Sequence, residues 1–376
     1  MRTISRRALL SGVTSAAASL VVGPACARAV TEAGPLGRRR RLAPVRVAPE
    51  RVIREVTGLR PFRSSGFRVE PETLGEKLVI HNYGHGGGGV SLSWGSANLA
   101  LEHALASPQR RAAVLGCGAL GLASARLLQD HGFEVAIYAR DLPPDTTSNV
   151  AGAQWAPTSV AEAERVTPAF REQYLRASRF AFHYFQTLAG PRYGVRWLEN
   201  YFLGWRGTGE LDWEFETLFA EILRPQTLRR DEHPFRVPFV QRFLSMHIDT
   251  NHYLRAVVED FRLAGGTIEV REFSDPNSIA ALAEPVILNC TGLGAATLFG
   301  DADLIPMKGQ LVVLAPQPEV DYITVGPGPG VMYMMPRQDG VILGGTFQAG
   351  EWSLEPDPAE RDRILRSQRE LFDRMS

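Results

Sequence analysis

Cysteine is nearly absent, at three residues in a chain of 376. Two of them, Cys117 and Cys290, lie beyond the N-terminal segment in apolar, strand-like contexts. That reads as a pair of buried thiols and excludes a disulfide framework. An excess of charge of one sign is missing too: Lys and Arg number 41, Asp and Glu 41, for a formal net charge of zero. No long-range field therefore favours nucleic acid or an anionic membrane surface. The apolar run from Ala8 to Val22 falls short of the ~20 residues a transmembrane helix needs. Around His81 and His85 there is no carboxylate or third ligand. Their i, i+4 spacing would suit a metal on a helix, but the glycines beside them argue against one, and no metal is expected. What is left is 44% hydrophobic residues, enough to bury two lobes around a site for a small molecule.

Residues 1–29 read as an export signal, because Arg2, Arg6 and Arg7 precede the apolar run and the small-residue stretch Ala25-Cys26-Ala27-Arg28-Ala29. Ser5-Arg6-Arg7-Ala8-Leu9-Leu10 resembles a twin-arginine signal, whose pathway carries folded proteins. An ordinary secretory signal with an Arg pair is the alternative. Either places the protein in the periplasm or the medium, with no stable membrane insertion after removal of the signal. Gly23-Pro24-Ala25 is a poor context for lipidation of Cys26. Residues 30–50, with four arginines from Arg38 to Arg41, read as a flexible arm.

The stretch that organises the rest is His81-Asn82-Tyr83-Gly84-His85-Gly86-Gly87-Gly88-Gly89-Val90-Ser91. Four successive glycines strip the side chains from a turn, so backbone N–H and C=O groups can be presented to a planar or anionic ligand. Lys77 to Ile80 reads as the strand before this turn and Trp94 to Ala106 as the helix after it. A second such unit follows: strand Arg111 to Leu115, then Gly116-Cys117-Gly118-Ala119-Leu120-Gly121, helix 122–130, strand 134–138, and Arg140-Asp141, the acid twenty residues past the last glycine. This arrangement seats a pyrophosphate on a helix N-terminus and a ribose on a carboxylate. On this unit alone Arg140 could equally meet a phosphate, which keeps NADP open.

Downstream the pattern predicts helices over 160–188 and 250–264 and strands over 192–203, 235–244, 267–270, 310–314 and 322–325. A buried strand from Val286 ends in Thr291-Gly292, a hairpin turns at Asp339-Gly340, and a charged helix spans 357–376. Upstream, Thr57 to Phe62 reads as a turn feeding an extended X-Pro segment. The fold class is α/β, in the two-lobed α+β sense: a Rossmann-type dinucleotide domain (75–165 with 250–300) and a mainly antiparallel-sheet substrate domain (51–74 with 166–249 and 301–376).

These residues resemble the D-amino-acid oxidase family of FAD-dependent oxidoreductases. His81 to Gly87 with Trp94-Gly95 is similar to its flavin-contacting signature, and Gly58-Leu59-Arg60-Pro61 to its carboxylate-binding element. Thr146-Thr147-Ser148-Asn149-Val150-Ala151-Gly152-Ala153-Gln154-Trp155-Ala156-Pro157 is similar to the loop it lays over pyrophosphate and isoalloxazine. That loop favours flavin over NADP, and the implied cofactor is FAD. The implied contacts are Gly116, Cys117, Gly118, Ala119, Leu120 and Gly121, then Arg140 and Asp141. They continue with Thr146, Thr147, Ser148, Gly152, Ala153 and Gln154, with Phe273 and Thr291, and with Gly86, Gly87, Gly88, Gly89, Val90 and Ser91.

The resemblance further implies that Arg60 and Tyr333 fix a substrate carboxylate while the Gly87 carbonyl takes the amino group. An Arg suits that role because its planar fork makes two parallel charge-assisted bonds. Taken alone, Arg60 would more readily pair with a surface glutamate such as Glu55, and Tyr333 would as readily be a tyrosine packed in a sheet. The implied activity is oxidation of a D-amino acid by hydride transfer from Cα to flavin N5, giving the 2-oxo acid, ammonia and, with molecular oxygen as acceptor, hydrogen peroxide. The alternatives are a flavin dehydrogenase of amines or small acids with another acceptor, or a non-catalytic exported flavin-binding protein. A homodimer is left open. Pro329 stands where some relatives carry a substrate-facing tyrosine, so their lid is expected to be reduced here. The family's C-terminal portion, here 51–105, precedes its βαβ unit, which is the expectation for a circular permutation. The final helix should then lie against Pro44 to Val52.

Overall fold

The computed structural model describes residues 41–152, 154–204, 213–326 and 332–375. Residues 1–40, where the export signal and most of the arm are expected, lie outside the described residues, as do Ala153 and Pro329.

In chain order, β1 (Val52–Arg63) is followed by the hairpin β2 (Arg68–Leu74) and β3 (Lys77–Tyr83), then α1 (Gly89–Leu105). Next come β4 (Arg111–Leu115), α2 (Ala119–Asp130) and β5 (Glu134–Ala139). They lead through α3 (Thr147–Val150), α4 (Pro168–Thr187), β6 (Val195–Gly204), α5 (Trp213–Leu218), β7 (Gln226–Thr227) and β8 (Phe239–Ile248). The chain returns with α6 (Thr250–Leu263), β9 (Thr267–Val270), α7 (Pro276–Ala280), β10 (Val286–Asn289) and α8 (Gly294–Phe299). It closes with β11 (Leu304–Leu314), β12 (Tyr322–Val325), β13 (Tyr333–Arg337), β14 (Gly340–Gly344), β15 (Gln348–Ala349) and α9 (Pro358–Asp373).

These strands form two sheets. The first has the order β2-β3-β10-β4-β5-β9 and is parallel except for the β2–β3 hairpin. Its central strands are apolar without alternation, with Val79, Ile80, Ala112 to Leu115 and Val286 to Leu288 all buried. That is the mark of a sheet covered on both faces. The second sheet runs β1-β11-β14-β13-β12-β6-β8-β7, with β15 also on β11, and is antiparallel except where β12 meets β6. Both expected sheets are therefore present. Long helices begin at side-chain caps: Thr167 accepts from Phe170 N–H, Asp249 from His252 N–H and Asp357 from Ala359 N–H.

Four expectations are corrected. Thr57 to Phe62 is not a turn but part of β1, paired without a break to β11. Pro61 is tolerated there because β1 is an edge strand, and its partner across the ladder is another proline, Pro306. Helix α1 starts at Gly89 rather than Trp94, with Val90 to Ser93 of its first turns buried by neighbours that local propensity does not see. Residues 68–74 pair with β3 and so belong to the nucleotide sheet, not the substrate lobe. The described part of the expected flexible arm is packed: Leu42, Val45 and Val47 are buried beside Ile364, Leu365 and Phe372 of α9.

The substrate sheet thus has two occupied faces. Val312, Leu314, Tyr322, Met334 and Leu343 meet α9 and residues 42–47. Arg369 Nε donates to the Val47 carbonyl at 3.0 Å and the Tyr322 hydroxyl to the Ala43 carbonyl at 2.7 Å, so the final helix lies against the segment expected beside it. The opposite face, with Leu198, Leu311, Ile323, Met335 and Ile342, receives Val150 and Tyr333.

Candidate active site

The carboxyl ends of β4, β5 and β10 converge on the dinucleotide motif. Gly118 precedes α2 without a side-chain cap, and the Ala119 N–H donates to Ser148 Oγ at 3.0 Å. A Cβ on Gly118 would come within 3.0 Å of that same oxygen, so the glycine makes room for Ser148 at the helix N-terminus. Asp141 follows β5 with its carboxylate on Arg140 at 2.9 Å, and Arg140 also reaches Glu272 at 3.4 Å. Its guanidinium is thus paired with two acids rather than left for a phosphate. Thr291 donates through Oγ1 to Asn289 Oδ1 at 2.7 Å, and Phe273 stands edge-on to Tyr138. Burial pushes the Cys117 and Cys290 thiols up to about 12, which makes both inert. Among the described residues no group of His, Cys, Asp or Glu could hold a metal.

The glycine turn packs on residues 157–160. The Gly87 N–H donates to the Ser159 carbonyl at 3.0 Å and the Gly88 N–H to the His85 carbonyl at 2.9 Å. Cβ atoms on Gly86, Gly87 or Gly88 would meet Ser159 O at 2.3 Å, Thr158 O at 2.6 Å or Val160 at 2.6 Å. Three of the four glycines, Gly86 to Gly88, are therefore required by close approach on one side, and Gly87 stays exposed on the other. Gly89 and Val90 open α1, and the Ser91 hydroxyl folds back onto the Gly88 carbonyl at 3.2 Å.

Arg60, Phe62, Gly86, Gly87, Ser159, Met307 and Phe347 line one pocket. The Arg60 guanidinium donates to the Thr346 carbonyl at 3.3 Å and lies over the Phe347 ring at 4.5 Å. Glu55 instead serves Arg361 at 3.5 Å and Gln310 at 3.2 Å, so the surface pairing weighed for Arg60 does not form. The guanidinium rests over Gly309, where a Cβ would come within 2.2 Å of Nη1. The Tyr333 ring covers Gly344 and Gly345, with Cβ positions at 2.3 and 2.6 Å from it. Arg60 and Tyr333, far apart in sequence, thus stand on one four-residue segment, 344–347.

The loop 146–155 crosses the same sheet face. Thr146 Oγ1 donates to Asn149 Oδ1 at 2.7 Å, and Thr147 and Ser148 open α3. Val150 lies on Gly58, and Gly152 on Met335 and Tyr333. Gln154 donates to Asn200 Oδ1, and the Trp155 N–H reaches the Met246 carbonyl at 2.7 Å. A family model described as FAD dependent oxidoreductase matches residues 111–375.

The chain belongs to the FAD-dependent oxidoreductase family.

This oxidoreductase is 35% identical over 258 residues to a D-amino-acid oxidase of Rubrobacter xylanophilus, covering 68% of this chain and 75% of that one. It is 32% identical over 256 residues to a D-amino-acid oxidase of Streptomyces coelicolor, at 67% and 75%. In fold it is similar to glycine oxidase of Geobacillus kaustophilus, with a TM-score of 0.54 at 16% identity over 70% of this chain and 79% of that one.

The residues present fit FAD. The starts of α1 and α2 flank β10, and a glycine at each N-cap position puts no side chain over the helix amides that a pyrophosphate and ring would approach. Reading the sequence missed Ser159, Gly309, Thr346, Phe347 and Arg337. Ser159, at φ 57, had no local signal, since only the pocket reveals its strained backbone. Gly309 and Thr346 become visible only once the β11 and β14 register is known.

Proposed function

We propose that this FAD-dependent oxidoreductase oxidises D-amino acids. The observation that carries the reading is the pocket shared by Arg60 and Gly87, in which the guanidinium meets a carbonyl and a ring rather than a carboxylate. An Arg so left can receive a carboxylate bidentately. Arg60 holds the substrate α-carboxylate, the Tyr333 hydroxyl donates to it, and the Gly87 carbonyl accepts from the amino group. Phe62, Met307 and Phe347 exclude water around the Cα–H bond. FAD, when bound, supplies the two-electron acceptor, with molecular oxygen as the final one. The chain needs no side-chain acid or base for this; alignment and electrostatics carry the rate. The imino acid product is hydrolysed by water to the 2-oxo acid and ammonia.

The test is anaerobic addition of a D-amino-acid panel to the purified protein while the flavin spectrum is followed. Bleaching by D but not L enantiomers, with peroxide on admitting air, is expected. A flavin unmoved by every D-amino acid overturns the reading; bleaching without peroxide overturns oxygen as the acceptor.

Two proposals accompany it. The chain is a circularly permuted form of the family fold, supported by the packing of α9 on residues 42–47 and by a family match that begins at β4. It is also exported through Arg6-Arg7. Changing both arginines to lysine and following the protein by cell fractionation tests the second.

A further inference from the structure

We infer that Arg337 is the positioning residue that fixes the flavin loop to the substrate sheet. The inference rests on the reading of residues 146–154 as flavin-contacting. Arg337 ends β13 with its side chain 3% exposed. Its Nε and Nη2 donate to the two oxygens of Asp339 at 2.9 and 2.8 Å. Its Nη1 is turned on the loop, toward the carbonyls of Asn149 at 3.3 Å and Ala151 at 3.4 Å and toward Thr250 Oγ1 at 3.1 Å. The Thr250 hydroxyl in turn donates to the Asn149 carbonyl at 3.0 Å.

The network closes on itself. Asn149 Nδ2 donates to Asn251 Oδ1 at 2.9 Å, and Asn251 Nδ2 to Asp339 Oδ2 at 3.3 Å. Peptide planes at 149 and 151 cannot turn without breaking buried charge-assisted bonds. One residue before Asn149, Ser148 ties the loop to the first amide of α2. One strand thus touches both ligand regions. Tyr333, Met335 and Arg337 project to one face of β13: Tyr333 lies under the pocket segment, Met335 lies on Gly152, and Arg337 holds Asn149 and Ala151.

Arg337→Met keeps the aliphatic stem and removes the fork. The variant apoprotein, titrated with FAD and followed by flavin fluorescence, is expected to bind about tenfold or more weakly than the wild type, with the bound-flavin absorption bands less resolved. Arg337→Lys restores the charge without the fork and is expected to remain weak. Thr250→Val, nearly isosteric, should shift affinity in the same direction by less. Should Arg337→Met fail to fold, Thr250→Val decides alone. Wild-type FAD affinity and spectrum in the folded variants overturn the inference. Ser148→Ala separates the causes: if it weakens FAD while the others do not, the clamp alone is wrong. If all four variants bind as wild type, the loop reading fails with it. None of these readouts depends on which amino acid is oxidised.

Discussion

At the scale of single residues the proposed site rests on Arg60 and Tyr333. Arg60→Leu should lower kcat/KM for a D-amino acid about a hundredfold, or ~3 kcal/mol of transition-state binding; an unchanged value in steady-state assays removes Arg60 from the site. Tyr333→Phe, which loses one hydroxyl to a charged group, should cost about tenfold in the same assay. These two residues could be nominated because the short motifs that hold them resemble those of the family. Arg337 could not be, because nothing near it in sequence says that its partners are the carbonyls of residues 149 and 151. Gly309 was hidden for a similar reason: its role as the floor under Arg60 exists only after β1 and β11 are paired.

At the scale of elements, strands flanked by glycines and capped helices were readable, since the signals lie within a few residues of each boundary. β1 was misread as a turn because Gly58 and Pro61 carry turn propensity that pairing to β11 overrides. The start of α1 was misplaced because burial against its neighbours outweighs the low helix propensity of glycine. Helix α9 allows a stability test away from the chemistry. Phe372 is buried at 2% exposure on the sheet face opposite Tyr333. Phe372→Ala should cost ~3–5 kcal/mol, read as a lowered denaturant midpoint, with the flavin spectrum of the folded variant unchanged.

At the scale of the whole molecule, buried histidines tie stability to pH. Burial holds His85, stacked on Phe67, at about 3. His247 is also held at about 3, first by burial and then by the nearby Arg196 and Arg337 charges. Their unfolded value is ~6.5. Between that value and about 3 the unfolded chain binds protons that the folded one does not, so stability falls as pH is lowered through this window. Each histidine contributes up to ~1.4 kcal/mol per pH unit. Urea melts from pH 7 to pH 5 should show the decline, and a flat profile would contradict the burial of these rings. The outer margin of the large sheet has its own consequence. Pro61 faces Pro306 across the ladder, so its ring nitrogen points away from β11 and offers no proton to a newcomer, while the Phe62–His85 bridge closes the position beside it. A second chain trying to zip onto this rim would stall there, and any association between copies at this end has to be made by side chains instead of a shared ribbon.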